Sequence, residues 1–168
     1  MEPIAGPYGQ LVSILNNDRA LCEQLSSISD PITPDQFTAR NSEWAKRTNT
    51  DMFAIVLDGE AIGMISLSHI DTVAKTAQIG YWLASAHWNK GFTTSAFTQL
   101  LAIAKGMDLN TVRSKISKTN AASRAIWKKH DASFAETDGM DSRRSLSRTA
   151  MRDGNDGARQ VPLFIVHR

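Results

Sequence analysis

Apolar residues first cluster in Leu11-Val12-Ser13-Ile14-Leu15, a short run that reads as a first strand. Asn17 or Asp18 then offers an N-cap for a helix whose apolar positions, Leu21 and Leu25, lie one turn apart. Asp30-Pro31-Ile32-Thr33-Pro34 interrupts the pattern. Thr33 suits a cap and Pro34 the first turn of a second helix carrying Phe37 and Trp44. The period then shortens. Phe53 to Leu57 predicts a strand, Asp58-Gly59 a two-residue hairpin turn, and Glu60 to Leu67 the returning strand. Between Thr76 and Leu83, Ile79, Tyr81 and Leu83 alternate with Gln78, Gly80 and Trp82, which predicts a third strand.

From there the pattern becomes strand–helix–strand. Phe97, Leu100, Leu101 and Ala104 share one face of a helix over Thr94–Lys105, and Gly106 is placed to end it. Thr111 to Ser117 alternates as a strand, and Thr119 or Asn120 caps a helix reaching Lys129. Two strands joined by a helical crossover are most simply parallel neighbours. Ala132–Thr137 reads as a further strand, Gly139–Gly157 as a long polar loop, and Val161–Val166 as a closing strand that Pro162 assigns to a sheet edge. The expected fold is a mixed α/β sheet with helices on both faces. No repeat or low-complexity linker divides the 168 residues, so one domain covers 1–168.

Composition narrows the class without naming a function. With 42% hydrophobic and 21% charged residues the balance is that of an ordinary globular domain. The lone Cys22 cannot form an internal bridge, no apolar run approaches the ~18 residues of a membrane span, and the first residues lack a signal-peptide pattern. The expectation is a cytoplasmic protein. No Cys/His/Asp/Glu cluster has metal-ligand spacing, so no metal is expected. A G-x-S-x-G elbow is absent, as are both phosphate-loop and dinucleotide fingerprints.

Charge adds one feature. The net charge is only +2, yet Arg113, Lys115, Lys118, Arg124, Lys128 and Lys129 fall together with no carboxylate among them. A solvated basic face and a phosphate-ligand site both explain such a run. Nucleic acid is the weaker reading, because Trp127 is the one aromatic interleaved with it. Just upstream, Lys90-Gly91-Phe92-Thr93-Thr94 leads into a helix. A helix N-terminus behind a glycine is a ready anion site, since its first N–H groups lack internal partners and the dipole favours negative charge.

Three segments in order then carry a resemblance: Ile79-Gly80-Tyr81-Trp82-Leu83, Trp88-Asn89-Lys90-Gly91-Phe92-Thr93-Thr94, and Asn120-Ala121-Ala122-Ser123. Together they resemble the GNAT superfamily of N-acetyltransferases, in particular its RimJ/RimL-type ribosomal-protein branch, which reads approximately I-G-Y-W-L, W-G-K-G-Y-A-T and N-x-x-S. The hairpin strand Ile62–Leu67 and Ile70-Asp71 also match, so the likeness spans about Phe53 to Phe134. It implies a fold whose central parallel strand pair is splayed, and an acetyl-CoA-dependent transfer of acetyl to a primary amine. The pantetheine would lie along the strand ending at Leu83 and Ala84. The pyrophosphate would lie on Trp88, Asn89, Lys90, Gly91, Phe92, Thr93 and Thr94, with Lys129 among the flanking cations.

On the same resemblance Asn120 would bind pantetheine and Ser123 would act on the departing thiolate; read alone, Asn120 is a plain N-cap and Ser123 an exposed helix serine. Several residues depart from the family pattern. Trp88 stands where the wider superfamily has Gln or Arg, Asn89 where Gly is usual, Thr93 where Gly or Ala is usual, and Asp131 where a glycine follows the second helix. Asn and Asp tolerate positive φ. Trp127 replaces a tyrosine that serves as acid in many members, and Gln78 replaces a glutamate that often serves as base. His69 is a candidate base by its unperturbed pKa near 6.5, and otherwise a surface histidine. His87 and His130 read as loop and helix-end residues. The partners expected are an amine acceptor, either a protein N-terminus or a small molecule, with no nucleic acid and no membrane, in a monomer or homodimer. The absence of the family's glutamate, replaced by Gln78, and of its tyrosine, replaced by Trp127, keeps a second reading open, a CoA-binding module without transferase activity.

Overall fold

The computed structural model describes residues 7–25, 30–136, 144–150 and 163–167. Its helices are α1 (Pro7–Asn17), α2 (Arg19–Leu25), α3 (Pro34–Thr48), α4 (Phe92–Gly106) and α5 (Ala121–Lys129). Its strands are β1 (Asp51–Leu57), β2 (Glu60–Asp71), β3 (Thr76–Leu83), β4 (Thr111–Ser117), β5 (Ser133–Glu136), β6 (Arg144–Ala150) and β7 (Leu163–His167). They form one sheet in the order β5-β6-β4-β3-β2-β1-β7, antiparallel throughout except between β3 and β4.

Alternation along the strands gives the sheet two apolar faces. Phe53 and Ile55 of β1 join Phe97, Leu100 and Trp127, so α4 and α5 cover one face. Met52, Ala54 and Val56 join Leu11, Leu15, Leu21 and Phe37, so α1, α2 and α3 cover the other. This is the mixed α/β sheet with helices on both faces that the pattern predicts.

Local chemistry sets most boundaries. Thr33 and Gln36 form a reciprocal capping box at the start of α3, and Asn49 ends it in the left-handed region at φ 47°. Asp58 (φ 50°) and Gly59 (φ 87°) make the β1–β2 turn, the pair of positive φ values that such a hairpin needs. Gly63 of β2 lies so close to β3 that a Cβ there would sit 2.5 Å from the Trp82 carbonyl oxygen. The hairpin can therefore hold the end of β3 tightly only because that residue has no side chain.

Two expectations are corrected. Leu11–Leu15 is helical, not a strand: it lies inside α1, where Leu11, Val12 and Leu15 are buried and Ser13 is exposed. The i, i+1, i+4 pattern places the three on one helix face. The polar stretch expected as a loop contains β6, whose backbone pairs with both β4 and β5. Sheet pairing, not hydrophobicity, makes that segment a strand. Its flanks, 139–143 and 151–157, lie outside the described residues. The closing strand is confirmed as β7 at the sheet edge beside β1, with Pro162 just outside the described residues.

Candidate active site

β3 and β4 pair only through Thr76–Thr111, Ala77–Val112 and Gln78–Arg113. Beyond Gln78 each strand follows its outer neighbour, β3 staying with β2 to Leu83 and β4 with β6 to Ser117, and the two part. The Ala84 N–H donates to the Ile62 carbonyl at 2.9 Å. Antiparallel alternation therefore turns the backbone groups of Leu83, Tyr81 and Ile79 into the gap. The Trp88 indole Nε1 donates to the Leu83 carbonyl at 2.7 Å, which leaves the Leu83 N–H as the open group at the strand end. Trp88 thus supplies a donor from the position where the superfamily has a polar side chain. The gap widens into a cavity of about 620 Å³.

One wall of that cavity is the turn into α4. Asn89 (φ 59°) and Gly91 (φ 84°) both adopt left-handed conformations. The Ser95 N–H bonds the Gly91 carbonyl at 3.0 Å, so the N–H groups of Phe92, Thr93 and Thr94 precede the first intrahelical bond. Gly91 is the N-cap and brings no side chain to satisfy them. A Cβ built on Gly91 meets nothing within 4 Å, so the space before these donors is open. Lys115 of β4 and Lys129 of α5 line the same cavity. Donors at the N-terminus of a 15-residue helix, with two lysines lining the same cavity, have the chemistry that suits a phosphate-bearing ligand.

The opposite wall is α5. Asn120 caps it: Oδ1 accepts from the Ser123 N–H at 2.9 Å, while among the described residues Nδ2 makes no hydrogen bond. The Ser123 hydroxyl lies 2.6 Å from the Tyr81 hydroxyl across the cleft. Burial, only partly offset by the hydrogen bond with Ser123 and the nearby Trp127 indole, pushes the Tyr81 phenol up to about 12. Trp127 is fully buried, with its ring edge-on to Phe97 at 5.0 Å. Its Nε1 has no partner within hydrogen-bond geometry.

Ten of the residues expected to hold the ligand therefore share one cleft: Leu83, Trp88, Asn89, Gly91, Phe92, Thr93, Thr94, Asn120, Ser123 and Lys129. Ala84 and Lys90 do not line it. Ala84 is buried with its N–H in the sheet, and Lys90 is exposed. His69 sits exposed at the irregularity where β2 loses register with β3, beyond the Ser68–Gln78 pair and so at the opposite end of β3 from Leu83. Gln78 ends the β3–β4 pairing and is also outside the lining. His87 lines the cleft with its Nδ1 buried and without a partner, and its ring rests on Phe92 at 6.0 Å. Sequence patterns read Leu21 and Leu25 as apolar helix positions and assigned neither them nor Gln24 to the site, yet these α2 residues line the cleft together with Trp82. Among the described residues lining the cleft none is acidic, no metal-binding cluster is present, and no helix is long and apolar enough to cross a membrane.

Asp18 ties α2 to the turn after β3. Oδ1 accepts from the Leu21 N–H at 3.1 Å, capping α2, and Oδ2 accepts from the Ser85 N–H at 2.6 Å. Partial burial works to raise its pKa, but these hydrogen bonds outweigh it and hold the carboxyl below its ordinary value. A depressed carboxylate stabilises the fold fully above its unfolded pKa near 3.9, and that contribution is lost as pH falls through the lower folded value. Asp18→Ala is expected to cost about 1 kcal/mol near neutral pH, the usual worth of an N-cap. Urea unfolding at neutral pH and at the lowest pH the fold survives should show the difference narrowing. An equal difference at both would mean that the carboxylate charge is not what matters.

The family profile described as the acetyltransferase (GNAT) domain matches residues 8–133. The chain belongs to the GNAT acetyltransferase family. Among its relatives is a protein named as a ribosomal N-acetyltransferase, YdaF of Bacillus subtilis (strain 168), 31% identical over 118 residues. That match covers 67% of this GNAT chain and 64% of YdaF, so the chain spans a little under two thirds of its relative's length. Among solved structures, RimL, a ribosomal α-N-protein acetyltransferase in complex with coenzyme A, superimposes with TM-score 0.68 at 17% identity, covering 86% of this chain and 88% of RimL. Spermidine N-acetyltransferase from Vibrio cholerae, in complex with CoA and spermine, gives TM-score 0.70 at 13% identity, covering 88% and 91%. The structural likenesses establish the GNAT fold. The YdaF and RimL likenesses agree with the RimJ/RimL-type resemblance read from the sequence.

Proposed function

We propose that this GNAT chain is an acetyl-CoA-dependent N-acetyltransferase that acetylates a primary amine. The observation that carries the reading is the splayed β3–β4 pair opening directly onto the uncapped N-terminus of α4. CoA fits these residues. Its extended amide-bearing arm needs unpaired backbone partners, which β3 offers from Ile79 to Leu83, and its pyrophosphate needs the N–H groups behind Gly91. Bound RimL and the Vibrio cholerae spermidine enzyme carry CoA on the same fold.

The co-substrate would supply an activated acetyl thioester. The Leu83 N–H, fixed at a strand end whose carbonyl is already held by Trp88, would polarise the acetyl carbonyl. Asn120 would offer Nδ2 to the pantetheine, Lys115 and Lys129 would meet phosphates, and Ser123 would face the departing sulfur. Trp82, Leu21, Gln24 and Leu25 would guide the amine in. With Gln78 and His69 away from the cleft and no carboxylate among its described lining, the amine would enter neutral and lose its second proton to water. The acceptor is a protein N-terminus, as in the ribosomal-protein branch, or a small amine.

Release of CoA from acetyl-CoA tests this directly, with N-terminal peptides and small amines offered in parallel. Turnover with one class is the expected result, with a rate that rises with pH until the amine is neutral, about pH 8 for an α-amine and above about 10 for a lysine-like one. Tight CoA binding without turnover across the panel would favour the binding-module reading, which the missing tyrosine and glutamate motivate.

A further inference from the structure

Resting on the acetyltransferase reading, we propose that Asp18 couples α2 to the turn after β3, so that CoA held by that turn also fixes α2 as a wall of the cleft. Leu21, Gln24 and Leu25 are the residues α2 contributes to that wall. Neither Asp18 nor Ser85, its partner in the turn, lines the cleft. Both are positioning residues that act through the elements they join.

The α2 helix needs a hold from outside. It has seven residues, and isolated helices of that length are marginal in water. Its ion pair, Arg19 to Glu23 at 3.1 Å, is exposed and contributes little. Leu21 anchors it in the core it shares with α1 and α3, and the Cys22 thiol makes a weak bond of 3.0 Å to the Leu15 carbonyl. Its start is set by Asp18. One carboxylate oxygen accepts from the Leu21 N–H at 3.1 Å, and the Asp18 carbonyl accepts from the Cys22 N–H at 3.0 Å.

The second carboxylate oxygen reaches out of the helix. It accepts from the Ser85 N–H at 2.6 Å, a short bond of the stronger, charge-assisted class. Ser85 opens the short 3-10 turn Ser85–His87, and the residue before it, Ala84, supplies no side-chain cap. One carboxylate thus caps two helix starts. From Ser85 the bonds run on into the site. Its carbonyl accepts from the Trp88 N–H at 3.1 Å, and the Trp88 indole donates to the Leu83 carbonyl at 2.7 Å. Leu83 and Phe92 belong to the core under α4, whereas Leu21 belongs to the core on the other face of the sheet. The Asp18–Ser85 bond therefore links a wall built on one face to a ligand turn built on the other. CoA on the N–H groups behind Gly91 would restrain the turn and, through Ser85 and Asp18, the start of α2. Such coupling is reciprocal, so a seated α2 also favours bound CoA. The cleft would then be complete for the amine only after the co-substrate is in place.

Hydrogen exchange read by mass spectrometry, with CoA as the probe, tests the coupling without turnover. In the native protein CoA should slow exchange of the α2 amides about 10-fold, within the usual range for coupled sites. Ser85→Pro removes the donor and leaves α2 and Asp18 untouched. Ala84 has ψ 136°, which suits a residue before proline, and proline is tolerated at the first position of a helix, so the variant should fold. In it the slowing at α2 should fall below about 2-fold, while the slowing at the first turn of α4 stays as in the native protein. Asp18→Asn gives a second test. Its single acceptor oxygen can serve the Leu21 N–H or the Ser85 N–H but not both, so the link is cut whichever it keeps, and the α2 effect should again be lost. Calorimetry should show CoA binding both variants about 5-fold more weakly. A bridge that is only structural would speed α2 exchange equally with and without CoA. A native CoA-dependent ratio in Ser85→Pro would therefore overturn the coupling, as would α2 amides that CoA does not slow in the native protein. A native protein that binds no CoA would overturn the coupling and the transferase reading together. One that binds CoA and shows the α2 effect, yet turns over no amine, would remove the transferase reading alone.

Discussion

Gly91→Val is expected to weaken acetyl-CoA binding by about 30-fold or more, with the protein still folded. The backbone at residue 91 has φ 84°, a conformation that β-branched residues avoid at a cost of about 1–3 kcal/mol. Packing adds nothing to this, because a Cβ there meets no protein atom within 4 Å. Gly91 lines the cleft together with Phe92, Thr93 and Thr94, so a side chain there takes up room in the cavity their N–H groups are proposed to serve. A valine would therefore act twice on the ligand, by filling that space and by pulling the turn toward negative φ and the donors off their aim. Hydrogen bonds to a charged partner are worth about 1.5–3 kcal/mol each, so losing one corresponds to about 30-fold in Kd. Calorimetry with acetyl-CoA, alongside a thermal melt, separates the two effects. The melt reports the strained φ and the titration reports the lost donors. Gly91→Ala, with the same φ demand and a smaller side chain, should fall between the native protein and valine. Equal affinity in a folded Gly91→Val would remove this turn from the site.

Much of the frame was legible because local chemistry decides it. Asp58-Gly59 marked a hairpin turn between two apolar runs, Thr33 announced an N-cap ahead of Pro34, and Asn89 and Asp131, expected to tolerate positive φ, adopt 59° and 54°. The segment from β3 to α5 was legible for a second reason: three short motifs in fixed order carried the family likeness. What escaped depends on partners distant in sequence. Leu11–Leu15 is too short a run for its period to distinguish strand from helix, and α1 is settled by packing against Phe37, Ala54 and Ala61 in the same core. β6 is polar and exists because β4 and β5 flank it. In the site, no local pattern links Tyr81 to Ser123, 42 residues apart, or Asp18 to Ser85, 67 apart. Each of those bonds spans two elements that meet only in the finished fold. The same limit explains His69: its residue type suits a base, but antiparallel register carries it to the far end of β3.

Ser123→Ala is expected to lower kcat by about 100-fold while the acetyl-CoA KM changes little, the pattern for a donor that matters most as charge develops on the leaving atom. Binding should survive because the groups proposed to hold the co-substrate are elsewhere, on β3, on the α4 turn and at Asn120. The cap of α5 should survive too, since Asn120 Oδ1 bonds the backbone N–H of residue 123 and not its side chain. Stability should fall by no more than about 1 kcal/mol, the net worth of the lost Tyr81–Ser123 bond. Neither aromatic group beside Ser123 can take over as an acid: the Tyr81 phenol is pushed up to about 12, and the indole of Trp127 does not ionise near neutral pH. The decisive measurement is the single-turnover rate, which excludes product release. If chemistry in Ser123→Ala proceeds at the native single-turnover rate, Ser123 is an ordinary helix serine, and the sulfur must be met by another group in the cleft.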